Sequence, residues 1–375
     1  MGSSIQIEAT PRGGRSRCPA KLPGLGLALL AAIGLTLMHA RQREPSMPAS
    51  ADRTAPPVHE LLSQTGLYLP GTKHVDPANL AYVPQYPLWS DGAAKRRWVR
   101  LPPGQAIDAA NPDDLEFPIG TKLWKEFSFG RAVETRMMER LPDGGWRFAT
   151  YVWDERGREA RLAPAAGVRA VAPLAPGITH DVPSLDDCRA CHEGRNNPVL
   201  GFTTLQLSPT RDRLAPHREP LPQASVSLPA LVESGALVHL PHRLLETPPV
   251  VQGASDTERA LRGYLYANCS SCHNRQGPLA TLGLDFDISV LEGARNSLRQ
   301  SAVGQVSQFQ PPGRSHALRI DPEDPLASVA LFRMQSRDAA SQMPPLGSRL
   351  ADPEGVRLMT RFLTRDLVLA NQPLH

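Results

Sequence analysis

The body of this 375-residue chain carries no excess of either charge and almost no cysteine, and beyond a single leading stretch it has no long apolar run. Its formal net charge is +4, and the first fifty residues account for all of it: Arg12, Arg15, Arg17, Lys21, Arg41 and Arg43 against Glu8 and Glu44. The balanced remainder presents no basic footprint for phosphates, which argues against a nucleic-acid partner. There are five cysteines, and Cys18 sits in the leading segment, so the body works with only Cys188, Cys191, Cys269 and Cys272. Methionine is missing altogether between Met138 and Met334. No internal repeat is visible beyond one doubled cysteine motif.

What is plentiful is proline (38) and glycine (29), which implies short elements joined by many turns and ordered loops. The apolar run Leu22 to Met38 has positive charge on its N-terminal side, the pattern of an export signal or signal anchor. Met38 is a poor match to the small-residue rule for cleavage after Ala40, which favours an uncleaved membrane anchor. "PSMPASADRTAPP" follows as a tether. The body is then expected in the periplasm, anchored or secreted, with Cys18 left on the cytoplasmic side.

The pattern predicts a multidomain α+β protein, a β-sandwich-like N-terminal domain followed by a mostly α-helical domain. Four segments are expected: 1–50 as signal and tether, 51–183 as the β-rich domain, 184–254 as the first cysteine motif and a connector, and 255–375 as the helical domain. "WRFATYVW" alternates Trp146, Phe148, Thr150 and Val152 with Arg147, Ala149, Tyr151 and Trp153. Turn sequences bracket it, so 133–163 reads as an antiparallel meander. Farther on, Ser255 with Glu258 three residues later predicts a capping box and a helix running into Cys269. Asp352 followed by Pro353 predicts the start of a last helix. "LPALVESGAL" and "DPLASVALFRM" are shorter helix candidates.

The cysteines form two CxxCH motifs, Cys188-Arg-Ala-Cys191-His192 and Cys269-Ser-Ser-Cys272-His273. Zinc knuckles pair at roughly 15–20 residues, far closer than these two lie. A thioredoxin-like dithiol needs a strand-to-helix turn of a βαβ unit, and that surrounding pattern is missing. Haem c attachment needs two thiols to add across the vinyl groups and an adjacent histidine to ligate iron, and CxxCH supplies that at both sites, with no body cysteine left over. Thioether sulfur is a common second axial ligand in electron-transfer haems, and "QMPPLG" presents Met343 for His273. No Met-Pro follows the first motif, and no capped helix is expected to lead into it. Its sixth ligand is left among His180, His217, His239 and His242, with His217 and His242 ranked first, Met137, Met138, water, or nothing.

Residues 255 to 370 resemble bacterial class I cytochrome c domains, on "NCxxCH", "RIDPEDP" and "MPPLG". The upstream "YPLWSDGAAKRRWVRLPPG", "FPIGTKLWKEF" and "CRACH…LGFTTLQLS" resemble an uncharacterised bacterial family of exported haem proteins. The resemblance implies one haem on Cys269, Cys272, His273 and Met343, and another on Cys188, Cys191 and His192. A dihaem c-type cytochrome passing electrons to a redox partner protein is the leading expectation. The alternative is a haem enzyme, peroxidase-like or of other small-molecule chemistry, in which an open first haem is fed by the second.

Overall fold

A computed structural model describes residues 57–292 and 295–368. The apolar run and tether expected at the N-terminus lie outside the described residues. The first half of the chain builds nine strands: β1 (Leu80–Tyr82), β2 (Ala94–Arg100), β3 (Ile107–Asp108), β4 (Lys122–Phe129), β5 (Arg131–Arg140), β6 (Trp146–Trp153) and β7 (Ala160–Leu162), then a ribbon of β8 (Val168–Ala175) and β9 (Ile178–Val182). Farther on come α1 (Leu185–His192), β10 (Ser225–Val226), α2 (Leu228–Glu233), β11 (Leu237–Val238) and α3 (Arg243–Glu246). The last third holds α4 (Asp256–Asn268), α5 (Ser297–Ala302), α6 (Val329–Gln335) and α7 (Pro353–Arg361), the last continuing into a π-helical turn, Phe362–Leu367.

The expected sandwich is replaced by one mixed seven-stranded sheet in the order β10-β1-β2-β4-β5-β6-β7, with β3–β11 and β8–β9 as separate two-stranded ribbons. Alternation along a strand shows that a face is buried but not what buries it. On one face, Trp98, Trp124, Met137, Ala149, Tyr151 and Trp153 are covered by the N-terminal segment through Leu62, Leu67 and Tyr68. On the other, Val99 and Leu123 are covered by Val199, Phe202, Leu207 and Leu228. Chain segments thus do the work of a second sheet. The connector is stitched in by parallel pairing, Ala81 with Ser225 and Ile107 with Leu237.

The expected mostly α-helical cytochrome c domain is likewise overturned: the structure is only 22% helical and 21% strand. Between α4 and α7 the described chain is largely irregular, and arginines rather than helical ladders satisfy its carbonyls. Arg319 Nη1 donates to Gly283 O (3.1 Å) and Ser301 O (2.7 Å). Arg337 Nη2 donates to Met334 O and Met343 O, both at 3.0 Å. Arg333 Nε reaches Ser341 O at 2.9 Å.

The local helix signals have clear outcomes. Ser255 Oγ accepts from Glu258 N at 3.0 Å and starts α4. The Glu258 carboxylate turns away to Arg299 and Asn296, with Nε and Nη2 of Arg299 at 2.8 and 2.9 Å. Asp352 caps α7 by accepting from Glu354 N and Gly355 N. Ser255→Ala is expected to lower stability by about 1 kcal/mol in denaturant unfolding.

The loop 84–92 ties the sheet to the last third. Trp89 N donates to Asn268 Oδ1 (2.7 Å) and Trp89 Nε1 to Leu350 O (3.1 Å), while Asp91 accepts from the amides of Arg349 and Leu350. The Tyr86 ring fills the space above Gly263 in α4, where any Cβ would overlap it.

Candidate functional site

α1 carries the first motif and is properly capped, contrary to the expectation that no capped helix leads into it. Ser184 Oγ accepts from Asp187 N (3.1 Å) while Asp187 Oδ2 accepts from Ser184 N (3.0 Å), a capping box built with Asp in place of Glu. Cys188 and Cys191 therefore stand on one face of a short helix lying on β6. Here the His192 ring meets the Phe148 ring at 5.2 Å. His192 Nδ1 donates to Pro198 O at 2.6 Å. A carbonyl can only accept, so the proton is on Nδ1 and Nε2 keeps a free lone pair. Burial, assisted by Lys125 and Arg136, draws this imidazole down to about 4, so it is neutral at physiological pH.

The second motif begins where α4 ends. Cys269 N closes the helix on Leu265 O (2.8 Å), His273 N bonds Cys269 O (2.9 Å), and His273 O accepts from Phe286 N (2.9 Å). His273 is only 9% exposed, and burial holds it down to about 4. Its Nδ1 is buried without a hydrogen-bond partner. The two histidines are thus unequal in a sense the sequence did not suggest: the orienting bond belongs to the first motif.

All four thiols are free and partly exposed. Burial pushes Cys191 up to about 11 and Cys269 up to about 12, and it raises Cys188 as well, so these three stay protonated at neutral pH. Among the described residues no three His, Cys, Asp or Glu side chains converge as a metal-binding group. A porphyrin brings its own equatorial donors and asks the chain only for axial ligands and thiols. The residues fit that demand: each motif offers two reduced thiols and a neutral histidine, and at the first the ring is oriented by a carbonyl in the manner usual for metal-ligating histidine.

The two motifs touch. Asn274, which follows His273 and is 3% exposed, donates through Nδ2 to Gly194 O at 3.0 Å and to Ser270 O at 2.9 Å. Its Oδ1 accepts from Gln276 N and Gly277 N. A Cβ on Gly194 would overlap Ser271 O, so only glycine fits there. Arg195 continues the contact, placing its guanidinium 5.5 Å from the Tyr266 ring centre and pairing with Asp287. Gly194, Asn274 and Pro198 are the site residues that motif reading missed. The one available signal was a glycine just behind each CxxCH.

Met343 lies on the loop after α6, its N bonded to Arg333 O at 2.9 Å, and it lines a cleft with Met334, Tyr264, Trp89 and Asn268. That cleft abuts the last turn of α4, immediately before Cys269. The two favoured sixth ligands for the first motif are committed elsewhere. His217 Nε2 sits 2.8 and 2.9 Å from the Asp352 carboxylate oxygens and its ring lies on Trp89, while His242 is a surface residue beside Glu246. His239 is exposed and bonded to Asp108, and Met137 is buried among the tryptophans on the far face of the sheet. Met138 points to the near face, directly across from Phe148. His180 is buried against Glu134, within the charge network that reaches Cys188.

No protein-family model, no curated protein and no solved structure matches this chain.

Proposed function

We propose that this chain is a c-type haem protein that holds one haem at each CxxCH motif and passes electrons between them and to a redox partner protein. The observation that carries the reading is the direct contact of the two motifs through Asn274 Nδ2 and Gly194 O at 3.0 Å. Chemistry confined to one motif would not require the other to be packed against it, whereas transfer between two groups demands that they lie close. The neutral His192 with a free Nε2 supports iron ligation at the first site, and Met343 beside α4 is the proposed partner of His273 at the second. When bound, haem supplies reversible one-electron chemistry, and the chain's own part is to hold, orient and enclose it.

A second reading, small-molecule redox at the first motif, is favoured by the commitment of His217 to Asp352 and of His242 to the surface. Binding of carbon monoxide by the reduced protein at the first site would support it. Among the described residues no helix is long and apolar enough to cross a membrane. Export, with Leu22 to Met38 as signal or anchor, belongs to the proposal.

Protein from a host equipped for haem c maturation is expected to show two covalent haems by intact mass and haem-stained denaturing gels. Cys188→Ala/Cys191→Ala and Cys269→Ala/Cys272→Ala should each retain one. A soluble, folded protein without covalent haem would refute the reading.

A further inference from the structure

The sheet face turned toward the motifs carries a row of like charges. Arg97 on β2 pairs in register with Lys125 on β4, and Lys125 with Arg136 on β5. Lys95, two residues from Arg97, points to the same face. Like charges directly opposite on a sheet repel, and a part-buried row of them costs stability unless it is neutralised. Carboxylates meet the two ends: Glu219 binds Arg97 through two oxygens at 2.6 and 3.0 Å, and Glu134 binds Arg136 likewise at 2.6 and 3.1 Å. Among the described residues, Lys95 Nζ donates to the Leu88 carbonyl, at 2.7 Å. The central Lys125 Nζ there faces the Phe127 ring, 4.9 Å from its centre. Burial, with Arg97, Lys95 and Arg136 around it, pushes the Lys125 ammonium well below its usual range, and burial draws Lys95 down to about 8. Among the described residues neither lysine on this face is hydrogen-bonded to a carboxylate, although Glu219 acts on both through space.

Lys125 opens onto a cavity. Arg97 and Arg195, each already paired with a carboxylate (Glu219 and Asp287), line it beside Lys125, Tyr86 and Tyr266 line it as well, and Ser271 of the second motif closes one side. The walls are otherwise largely apolar, so an anion held there would be shielded from water, and an ion pair made there would be strong.

We propose that this cavity is a carboxylate-binding site, in which Lys125, flanked by Arg97 and Arg195, receives a carboxylate group next to the two motifs. The carboxylate has two chemical sources: a propionate arm of a haem held at a motif, or a small carboxylate metabolite that enters from solvent. The inference rests on the haem reading for the first source only.

The test uses the full-length protein with its haem content measured first by intact mass, so that a failure of the haem reading shows separately. Acetate is titrated calorimetrically into wild type, Lys125→Met and Lys125→Arg, and the reduction potentials of all three are measured. Denaturant unfolding confirms that each variant is folded. If the carboxylate comes from solvent, acetate binds wild type, Lys125→Met weakens it by about tenfold or more, and Lys125→Arg keeps it. If a propionate fills the site, acetate does not bind. Lys125→Met then lowers one haem potential, because a cation that stabilised the reduced centre is gone, while Lys125→Arg leaves it in place. Folded protein in which Lys125→Met changes neither acetate binding nor any potential would overturn the proposal. Where no haem is present, acetate binding alone decides it: lost in Lys125→Met, the site stands, and absent from wild type, it falls.

Discussion

Glu134→Ala is expected to cost about 3–5 kcal/mol of stability, because it strands the buried His180 and the half-buried Arg136 at once. Glu134 is 0% exposed, holds Arg136 through both oxygens, and accepts from His180 Nε2 at 2.9 Å. Burial alone would raise its carboxyl pKa, but Arg136 and His180 pull it below the ordinary value of 4.5. For His180, burial works downward and the bonds to Asp91 and Glu134 carry it above 6.5. The signs follow from which state binds the proton more tightly. The carboxylate's contribution is complete above pH 4.5 and is lost as the pH falls through its lower folded value. The imidazolium's contribution is complete below 6.5 and is lost as the pH rises through its higher folded value. Denaturant unfolding of wild type and Glu134→Ala across pH should therefore show the largest gap between these limits and a narrowing gap on either side. The groups facing His180 are Asp91, Glu134 and Arg136, with the Phe129 ring 5.0 Å away. Glu134→Leu combined with Arg136→Met should recover the part of the loss that comes from Arg136, because an apolar pair leaves no unmatched guanidinium, while His180 keeps only Asp91 as its acid.

Gly194→Val is the second large effect, expected at about 3 kcal/mol, the upper end for overpacking, because what it meets is backbone and cannot rotate away. The side chain would drive into Ser271 O and disturb the Asn274 bond to Gly194 O, prising one motif from the other. Under the haem reading this has a spectroscopic counterpart: any magnetic interaction between the two haems in EPR weakens while both remain covalently attached. A variant with unchanged unfolding midpoint would show that the motifs are not in contact in solution.

Much of the local structure was legible because its causes are local. The alternation of Trp146 to Trp153 is the whole of β6, Ser255 and Asp352 cap the helices expected of them, and "LPALVESGAL" holds α2, followed by Gly235 at φ +71°. The arrangement was not legible, because its causes are remote. Nothing in Ser225-Val226 announces a strand, since two residues carry no period; it is β1 that makes them one. Sharp caps at α4 and α7 do not make a helical domain, because the carbonyls of the region between them are satisfied by Arg319, Arg333 and Arg337. At the site, CxxCH spacing located the thiols and histidines. It could not reveal that the motifs meet, that Pro198 orients one histidine while the other has no such partner, or that a row of cations faces them. Those relations exist only after some eighty residues of intervening chain have folded back.

The parallel pairing of β10 with β1 also sets an order of assembly. Ala81 cannot find Ser225 until the chain between them has been made, and contacts so distant in sequence form slowly and late. The first CxxCH lies inside that span, so its thiols leave the ribosome well before the strand that completes the sheet. Until Ser225 and Val226 arrive, β1 is the open edge of the sheet, and the chain that carries the first motif is already made by then.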